Sequence, residues 1–525
     1  MRSMENVPLE FRDRTRYGNT FNKYAGAEDR MPTITRSRRE FLRDLGFGAA
    51  CLASAGLVRG EPPARPRPNI IVLLCDDLGY GDLGCYGHPV IKSPVLDQFA
   101  REGVRFTAFY AAAPNCSPSR AGLLTGRTPY RMGMYDVIGK PGCQLSFPDS
   151  ESTIAEVLGA AGYDTCHFGK WHLDSRSAGS DNKTKPSDVV RHGFKRSYPD
   201  TGSATDTVRT FQRWASEHQS AEQPFFAYIG LHETHEPVEL WSPQSYRRLY
   251  RKMSDVPVPD GSVPRNNAKP QDRPVYYGCV SQLDAAFGNL LEFLEKSGLR
   301  ENTAILFTSD NGPDDRCPHS FGSPGPFRGT KGRVYEGGIR VPALLQWPGK
   351  LPAGMVCDEP VHGVDVLPTL CALAGVPLPQ DHVLDGVDFT PALEGQPLKR
   401  TEPLYWGMWD ARGGVQYAIR DGDWKLLAGA EPLKPEVKII DHIKNGKIVR
   451  YELYNLRTDP GETRDLSETE PEALKRMIDR FTPLHAQILA EGPRVDLEEK
   501  RGKARWAWPE AYGLNPADEG ASDDE

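Results

Sequence analysis

The sequence predicts an α/β fold: a large doubly wound, mixed but mostly parallel sheet flanked by helices, followed by a smaller C-terminal subdomain with an antiparallel sheet and a helix. Uninterrupted apolar runs, typical of strands buried on both faces, alternate with helical patterns from residue 69 onward. Near residue 400 these runs give way to strands that alternate apolar and polar residues. At 525 residues the chain also exceeds the size at which a single core stops growing.

The large sheet is predicted from four apolar runs with helices between them. The runs cover residues 69–75, 164–168, 225–231 and 303–307. Apolar residues at helical spacing cover 152–162, 207–218 and 277–296, with Ser152 or Thr153 as a cap for the first of these helices. This strand–helix–strand rhythm is typical of a parallel sheet.

The C-terminal subdomain is predicted from strands at 417–420, 424–427 and 448–454, followed by a helix at about 470–489. We therefore divide the chain into a leader (1–68), a large domain (69–400), an α+β subdomain (401–511) and an acidic tail (512–525). The tail lacks a run that could be buried, so we expect it to be disordered.

Charge and cysteine content exclude several classes of protein. The net charge is −7, and no basic stripe lies outside the N-terminus, which argues against a nucleic-acid partner. The ten cysteines form no CxxC pair, so neither a zinc framework nor a disulfide scaffold is indicated. We expect Cys75, Cys166 and Cys279 to be small buried hydrophobes within their elements.

The N-terminus resembles a bacterial twin-arginine signal peptide at about residues 31–60. Arg38 and Arg39 precede a mildly apolar stretch from Leu45 to Val58, which is too short and too rich in glycine and alanine to span a membrane. The alternative is an ordinary basic amphipathic helix. We predict export by the twin-arginine machinery of a bacterial cell to the periplasm or medium, without a stable membrane anchor.

Acidic side chains follow two of the predicted strands. Asp76 and Asp77 come directly after the first strand, and Asp310 and Asn311 follow the strand at 303–307. Open α/β sheets bind ligands at the carboxyl ends of their strands, and these oxygen donors suit Ca²⁺ or Mg²⁺. The alternative is that these aspartates start turns or cap helices.

Basic and titratable side chains follow the other two strands. Lys170 and His172 follow the short strand, and we expect them to share one face of an extended segment. The alternative is a surface lysine beside a half-buried tryptophan. His232 and His235 follow the strand at 225–231, and a proline comes soon after.

Cys116 opens the sequence Cys116-Ser-Pro-Ser-Arg-Ala-Gly-Leu-Leu-Thr-Gly126. We expect Pro118 and Ser119 to begin a helix, whose dipole together with Arg120 would stabilise a thiolate at Cys116. The residues alone therefore favour an ordinary thiolate nucleophile.

These motifs together resemble the type I, formylglycine-dependent sulfatases of the alkaline-phosphatase superfamily, which include the arylsulfatases. The resemblance runs from about Asn69 to about Leu466 and makes residues 69–400 a catalytic sulfatase domain. It implies that Cys116 is oxidised to formylglycine (3-oxoalanine) by a formylglycine-generating or sulfatase-maturing enzyme. The hydrated aldehyde then attacks sulfur.

The resemblance also implies a role for each site residue. Arg120 holds the formylglycine, Lys170 and Lys331 bind the sulfate, and His235 protonates the leaving oxygen, while His172 takes the proton that releases sulfate. The implied metal ligands, for Ca²⁺ or alternatively Mg²⁺, are Asp76, Asp77, residue 116, Asp310 and Asn311. One departure from the family is Asp174, where a glycine is common.

The implied activity is hydrolysis of a sulfated carbohydrate or an aryl sulfate. One alternative is a phosphomonoester, phosphodiester or phosphonate hydrolase of the same superfamily, which the paired lysines disfavour. Another is a non-catalytic relative that binds sulfated glycans, although every catalytic position is filled. A third is a nearly inactive protein with unmodified Cys116.

Overall fold

The computed structural model describes residues 67–140, 143–174, 184–199, 201–218, 222–250, 273–316, 321–380 and 383–495. The predicted signal peptide at about 31–60 and the predicted acidic tail at 512–525 lie outside the described residues.

The described residues form fourteen strands and thirteen α-helices, here labelled in chain order. They are β1 (Asn69–Cys75), α1 (Pro94–Glu102), β2 (Val104–Phe106), β3 (Phe109–Tyr110), α2 (Cys116–Thr125), α3 (Ile154–Ala160), β4 (Asp164–Gly169), α4 (Pro186–Val190), β5 (Arg196–Pro199), α5 (Ala204–Ala215), β6 (Phe225–Gly230), α6 (Val238–Trp241), α7 (Gln244–Arg247), α8 (Arg273–Lys296), β7 (Thr303–Ser309), α9 (Glu336–Ile339), β8 (Ala343–Gln346), β9 (Met355–Cys357), β10 (Val361–His362), α10 (Val366–Ala374), α11 (Thr390–Leu393), β11 (Leu404–Gly407), β12 (Tyr417–Asp421), β13 (Trp424–Ala430), α12 (Ile439–Asn445), β14 (Ile448–Asn455) and α13 (Pro471–Glu491).

The large sheet has eight strands in the order β5-β4-β6-β1-β7-β8-β2-β9. The five strands from β5 to β7 are mutually parallel, whereas β8 runs antiparallel to both of its neighbours. The predicted mixed, mostly parallel sheet is therefore confirmed. β1, the first apolar run of the chain, is one of its two central strands.

Burial on both faces explains why β1 is apolar throughout. Ile70, Val72 and Leu74 belong to one hydrophobic core, and the alternate residues Ile71 and Leu73 belong to a second core on the opposite face. Successive side chains of a strand point to opposite faces, so a strand covered by helices on both sides needs an apolar residue at every position.

The C-terminal sheet is antiparallel throughout, in the order β11-β12-β13-β14. α13 packs on one face of it, where Tyr417 and Ile419 share a core with Phe481 and Ile488. This confirms the predicted subdomain architecture and adds β11, which the sequence pattern missed. All four residues of β11 are buried, so it shows no apolar–polar alternation.

A buried ionic cluster joins the C-terminal sheet to the large domain. Nζ of Lys425 on β13 lies 2.9 Å from Oε1 of Glu336 and 2.8 Å from Oε1 of Glu462, and none of the three side chains is exposed. The backbone N–H of Glu336 donates to Oε2 of Glu462 at 2.6 Å. The ammonium group between the two carboxylates offsets part of the free-energy cost of burying them.

Some helix boundaries differ from the predicted ones. α5 begins at Ala204 because the Ser203 side chain caps it, accepting a hydrogen bond from the backbone N–H of Asp206. α3 is capped by Thr153, and Glu156 completes a capping box that the sequence analysis had not identified. Of the two caps considered for α3, Thr153 is therefore the one used.

Other expectations can be checked against the described residues. The cysteines among them are free thiols, and Cys75, Cys166 and Cys279 are fully buried, as expected. Within the described ranges, no helix is both long and apolar enough to cross a membrane.

Candidate active site

Four parallel strands end at the same level of the sheet. The strand register aligns Gly169, Gly230, Leu74 and Thr308 across β4, β6, β1 and β7. The segments that follow these strands carry the polar residues singled out from the sequence. Their predicted convergence at one sheet edge is thus a consequence of the strand register.

Asp76, Asp77 and Asp310 meet where β1 and β7 end. The backbone N–H of Asp310 donates to the carbonyl of Cys75 at 3.1 Å, and the backbone N–H of Asp77 donates to Oδ1 of Asp310 at 3.3 Å. Asp77 has a φ of 65°, a left-handed conformation that few non-glycine residues adopt. All three carboxylates are buried.

Cys116 forms the first residue of α2. Asn115 caps the helix, with its Oδ1 accepting from the backbone N–H of Cys116 at 3.2 Å, so the helix begins two residues before the predicted start at Pro118. Sγ of Cys116 lies 3.5 Å from Oδ1 of Asp76, with the geometry of a thiol donating to a carboxylate.

Burial opposes the thiolate that the helix position and Arg120 alone would allow at unmodified Cys116. Burial raises the pKa of the Cys116 thiol far above its usual range, and the nearby Lys331 and Lys170 offset this only in part. The helix dipole and the cations therefore do not overcome desolvation.

The donor atoms of the acidic cluster are close enough to surround one cation. One ligand atom from each of Asp76, Asp77, Cys116 and Asp310 lies within 4.8 Å of all the others. Nδ2 of Asn311 donates to Oδ1 of Asp77 at 2.7 Å, and its Oδ1 is buried without a hydrogen-bond partner in the described part of the chain. Buried carbonyl oxygens are rarely left unpaired, so this atom fits a metal ligand.

Burial and neighbouring charges shift the pKa values of the three carboxyl groups in different directions. Burial, reinforced by Asp76, raises the pKa of Asp77 to about 6, although Lys331 opposes it, and raises the pKa of Asp310 to about 7 despite the pairing with Arg120. For Asp76, burial is outweighed by Lys170, then His235 and Arg120, which hold its pKa well below the usual range. A divalent cation would relieve the repulsion that remains among these groups.

Each of the two lysines is paired with one of these aspartates. Lys170 follows β4, and its Nζ forms a buried ion pair with Oδ2 of Asp76. Nζ of Lys331 lies 2.5 Å from Oδ1 of Asp77 and 4.0 Å from Oδ2 of Asp314. The structure thus brings both predicted lysines to the acidic cluster from segments that are far apart in the sequence.

Arg120 connects α2 to both strand ends and is completely buried. Its Nε and Nη2 atoms lie 2.9 and 2.7 Å from Oδ2 of Asp310, and its Nη1 donates to the carbonyl of Lys170 at 3.1 Å. Through these contacts, the guanidinium fixes the Asp310 carboxylate and the exit of β4 relative to the helix that carries Cys116.

The two predicted histidines also lie at the cluster. Nδ1 of His235 lies 2.7 Å from the carbonyl oxygen of Glu236; because a carbonyl only accepts, Nδ1 carries the proton. Nε2 of His235 lies 3.9 Å from Oδ2 of Asp77. His172 has a φ of 57°, so the expectation of an extended segment at Lys170–His172 is wrong, although Lys170 and Asp76 remain its electrostatic neighbours.

Burial, then the charge of Lys170, lowers the pKa of His172 well below its usual value, and the same two causes lower the pKa of His235 to about 3. Both imidazoles are therefore neutral at neutral pH. An anion beside the lysines would favour the protonated form.

Some residues of the site were missed or left unassigned by the sequence patterns. Asn115 caps α2, and an asparagine directly before a predicted helix could have signalled this role. Asp314 lies beside Lys331, with no local signal except its place four residues after Asp310.

His232 stacks on Trp241 with ring centroids 5.3 Å apart, and its electrostatic neighbours include Lys170 and Asp76. Asp174, the departure from the family pattern, forms an ion pair with Arg191.

Comparison with known proteins supports the same family as the residues. The sulfatase family model matches residues 68–376, and the model for the C-terminal region of N-sulphoglucosamine sulphohydrolase matches residues 329–487. Human arylsulfatase A is 35% identical over 472 residues, covering 80% of this chain and 87% of that protein. N-acetylgalactosamine-6-sulfatase from Canis lupus familiaris is 32% identical over 522 residues, covering 87% and 93%.

Solved structures share the fold. Ps i-CgsB in complex with k-i-k-neocarrahexaose has a TM-score of 0.66 and 26% identity, covering 82% of this chain and 94% of that one. The phosphonate monoester hydrolase of Agrobacterium radiobacter has a TM-score of 0.58 over 80% of this chain and 96% of its own, but at 21% identity it shares the fold alone. Since the sulfatase model covers more than half of the sequence, and since both of these relatives are more than 30% identical over most of their length, the chain belongs to the sulfatase family and is a sulfuric ester hydrolase.

Proposed function

We propose that this sulfatase hydrolyses sulfate esters of a carbohydrate, using formylglycine made from Cys116 and a divalent cation, Ca²⁺ or alternatively Mg²⁺. The observation that carries the proposal is the joint position of the Cys116 side chain, three carboxylates and two lysines within one buried cluster. Negative ligands for a cation and positive ligands for an anion thus lie side by side, as the binding of a metal and a sulfate requires.

Asp76, Asp77, Asp310 and Asn311 would hold the cation. Their oxygens, including the unpaired Oδ1 of Asn311, form the kind of donor set that hard divalent cations prefer. When bound, the cation supplies positive charge that polarises the sulfate and acidifies a hydroxyl group at residue 116.

Formylglycine at position 116, in its hydrated form, supplies a hydroxyl nucleophile and a second hydroxyl whose deprotonation releases sulfate. Unmodified Cys116 offers neither, and its buried thiol resists ionisation. The surrounding fold supports orientation of the nucleophile, because Asn115 fixes the first turn of α2 and Arg120 ties the helix to Asp310.

Lys170 and Lys331 would bind the sulfate oxygens. Both ammonium groups are held by aspartates that would also bind the cation, so their positions are set before the substrate arrives. Preorganised charges in a water-poor site stabilise developing negative charge more than flexible surface lysines do.

His235 and His172 would transfer protons in two different steps, the departure of the alcohol and the release of sulfate. Since Nδ1–H of His235 is committed to the carbonyl of Glu236, Nε2 is the atom that would give a proton to the departing oxygen. The negative charge of a bound sulfate favours the protonated imidazole that this step needs. His172, beside Lys170, would accept the proton from the second hydroxyl at residue 116.

The carbohydrate substrate is supported by the relatives. Among the similar proteins are an N-acetylgalactosamine-6-sulfatase, 32% identical, and a structure in complex with a neocarrahexaose, although human arylsulfatase A is 35% identical. Two lysines at one acidic cluster favour sulfate over phosphate, and the filled catalytic positions argue against a non-catalytic glycan-binding protein.

The test is a comparison of kcat/KM for sulfated mono- and disaccharides, 4-nitrophenyl sulfate and 4-nitrophenyl phosphate, measured with Ca²⁺, with Mg²⁺ and after chelation. We expect sulfate esters to be hydrolysed, the sulfated sugars best, and chelation to abolish turnover. A preference for the phosphate would replace the proposal with the phosphohydrolase alternative.

We also propose that a formylglycine-generating or sulfatase-maturing enzyme modifies Cys116 in the cytoplasm, before twin-arginine export to the periplasm or medium. The support is the Arg38-Arg39 leader in the sequence, since this export route carries folded proteins. Replacing both arginines with lysines should trap modified enzyme inside the cell. Trapped enzyme that retains its thiol would overturn this order.

A further inference from the structure

Five charged side chains form a network beside Lys331, here called the arginine rim: Arg316, Arg333, Arg412, Asp314 and Asp315. Nη1 of Arg412 lies 2.8 Å from Oδ1 of Asp315 and 3.7 Å from Oδ1 of Asp314. Nη2 of Arg316 lies 3.0 Å from Oδ2 of Asp314, and Nη1 of Arg333 lies 2.6 Å from Oδ2 of Asp315. The network thus contains one more positive than negative group.

The C-terminal subdomain contributes Arg412, which lies directly on the segment that carries Lys331. The backbone N–H of Arg412 donates to the carbonyl of Gly332 at 2.8 Å. Gly332 has a φ of 78°, and a Cβ atom there would lie only 3.0 Å from Nε of Arg412. Glycine at 332 therefore serves two needs: the left-handed backbone and the close approach of the guanidinium.

The rim is also continuous with the sulfate site. Asp314 lies 4.0 Å from Nζ of Lys331, so the carboxylate that pairs with Arg316 and Arg412 also faces the proposed sulfate-binding lysine. Burial, then Arg316, lowers the pKa of Arg412, as expected where cations are in excess.

The acidic and basic side chains of the arginine rim differ in their exposure to solvent. The side chains of Asp314 and Asp315 are 5% and 17% exposed, whereas those of Arg316, Arg333 and Arg412 are 54%, 27% and 23% exposed. The carboxylates thus lie beneath the guanidinium groups, and a ligand at this surface meets the positive groups first.

We propose that the arginine rim binds a second anionic group, a carboxylate or another sulfate, on the same substrate whose scissile sulfate lies at Lys170 and Lys331. This inference rests on the proposed function and narrows its substrate to a polyanionic glycan. Guanidinium groups suit the task because they donate paired hydrogen bonds to carboxylate and sulfate oxygens.

The test measures kcat/KM of the modified enzyme on three probes: 4-nitrophenyl sulfate, a disulfated disaccharide and a monosulfated disaccharide that carries a uronate. The variants are Arg316→Gln and Arg412→Gln, with Arg457→Gln as the matched control, because Arg457 is a 75% exposed arginine outside the rim. We expect both rim variants to lower the ratio of kcat/KM for a dianionic probe to that for the aryl sulfate by about tenfold or more. The ratio of the control should be unchanged.

The outcomes separate this inference from the proposed function. If the wild type hydrolyses the sulfate esters but the rim variants keep its ratios, the rim proposal is overturned and the function stands. A loss for the uronate probe only, or for the disulfated probe only, identifies the second anion.

If the wild type hydrolyses none of the probes, the proposed function fails. Calorimetric measurement of the binding of the same disaccharides to the Cys116→Ser protein, with and without Arg316→Gln, then tests the rim proposal by itself. Weaker binding with Arg316→Gln supports the proposal, and unchanged binding overturns it. Because Arg316 is more than half exposed, its replacement tests the rim without disturbing the core.

Discussion

Asn311 donates from Nδ2 to Oδ1 of Asp77 at 2.7 Å, while its own Oδ1 is buried and has no hydrogen-bond partner among the described residues. One amide thereby fixes the orientation of a carboxylate and offers an acceptor beside it. Unlike the three aspartates of the proposed ligand set, Asn311 adds no negative charge to the crowded cluster.

Asn311→Ala should weaken cation binding by at least about tenfold, since it removes a ligand and also frees the Asp77 carboxylate. The measurement is the rise of Tm on titration with Ca²⁺, which reports binding without relying on turnover. Asn289→Ala, at an exposed position on α8, is the control. Equal Ca²⁺ affinity in Asn311→Ala and wild type would remove Asn311 from the ligand set.

Active enzyme should carry a changed residue 116. The tryptic peptide from Phe106 to Arg120 should have lost sulfur and two hydrogens and gained oxygen in mass spectrometry. Cys116→Ser should retain the fold and lose activity by at least about a thousandfold, because a serine lacks the second hydroxyl that releases sulfate. Full activity with an intact thiol would refute the mechanism.

His235→Ala should affect substrates according to their leaving group. A sugar alcohol needs a proton as it departs, so kcat/KM for a sulfated sugar should fall by about 10²- to 10⁴-fold. Nitrophenolate leaves without help, and the loss for 4-nitrophenyl sulfate should be much smaller. His442→Ala, on α12 of the C-terminal subdomain, serves as the control. An equal loss on both substrates would assign His235 to sulfate binding instead.

The ionic cluster at Lys425 should make stability depend on pH. Burial, reinforced by Glu336 and partly offset by Lys425, raises the pKa of Glu462 from 4.5 to about 7. Between these values Glu462 holds a proton in the folded protein and releases it in the unfolded chain. The stabilising effect of this proton is complete below pH 4.5 and is lost as the pH rises through 7. The pKa of Glu336, lowered to about 2 by Lys425 against the effect of burial, acts below this window.

Urea unfolding at pH 5 and pH 8 measures this effect. From pH 5 to pH 8, the free energy of unfolding of the wild type should fall by on the order of 2 kcal/mol more than that of Glu462→Gln. The exposed Glu472→Gln variant should follow the wild type. Parallel pH curves for wild type and Glu462→Gln would show that Glu462 is already ionised at pH 5.

Local rules were sufficient for much of the fold and site. β1 and β7 were predictable because burial on both faces demands uninterrupted apolar residues, and the polar residues after them were expected at one sheet edge. α3 was predictable from its apolar spacing and from a cap at Ser152 or Thr153, since capping depends on neighbours in the sequence.

Other features depend on contacts between distant segments. Burial decides the ionisation of Cys116 more strongly than its helix does, and burial is invisible to a motif. The left-handed backbone of His172 replaces the expected extended segment, yet keeps the imidazole beside Lys170 and Asp76. Arg412 reaches Gly332 from a separate subdomain, so no spacing pattern links the two.

Every residue of α2 is buried, and the side chain of Cys116 is almost inaccessible. A second enzyme cannot bring its own reactive groups to an atom in that position unless this sheet edge is open. If a maturing enzyme oxidises Cys116 as proposed, maturation and folding would compete in each newly made chain, and a chain that folded first would keep the thiol. The specific activity of a preparation would then record how that competition ended, even when every molecule in it is correctly folded.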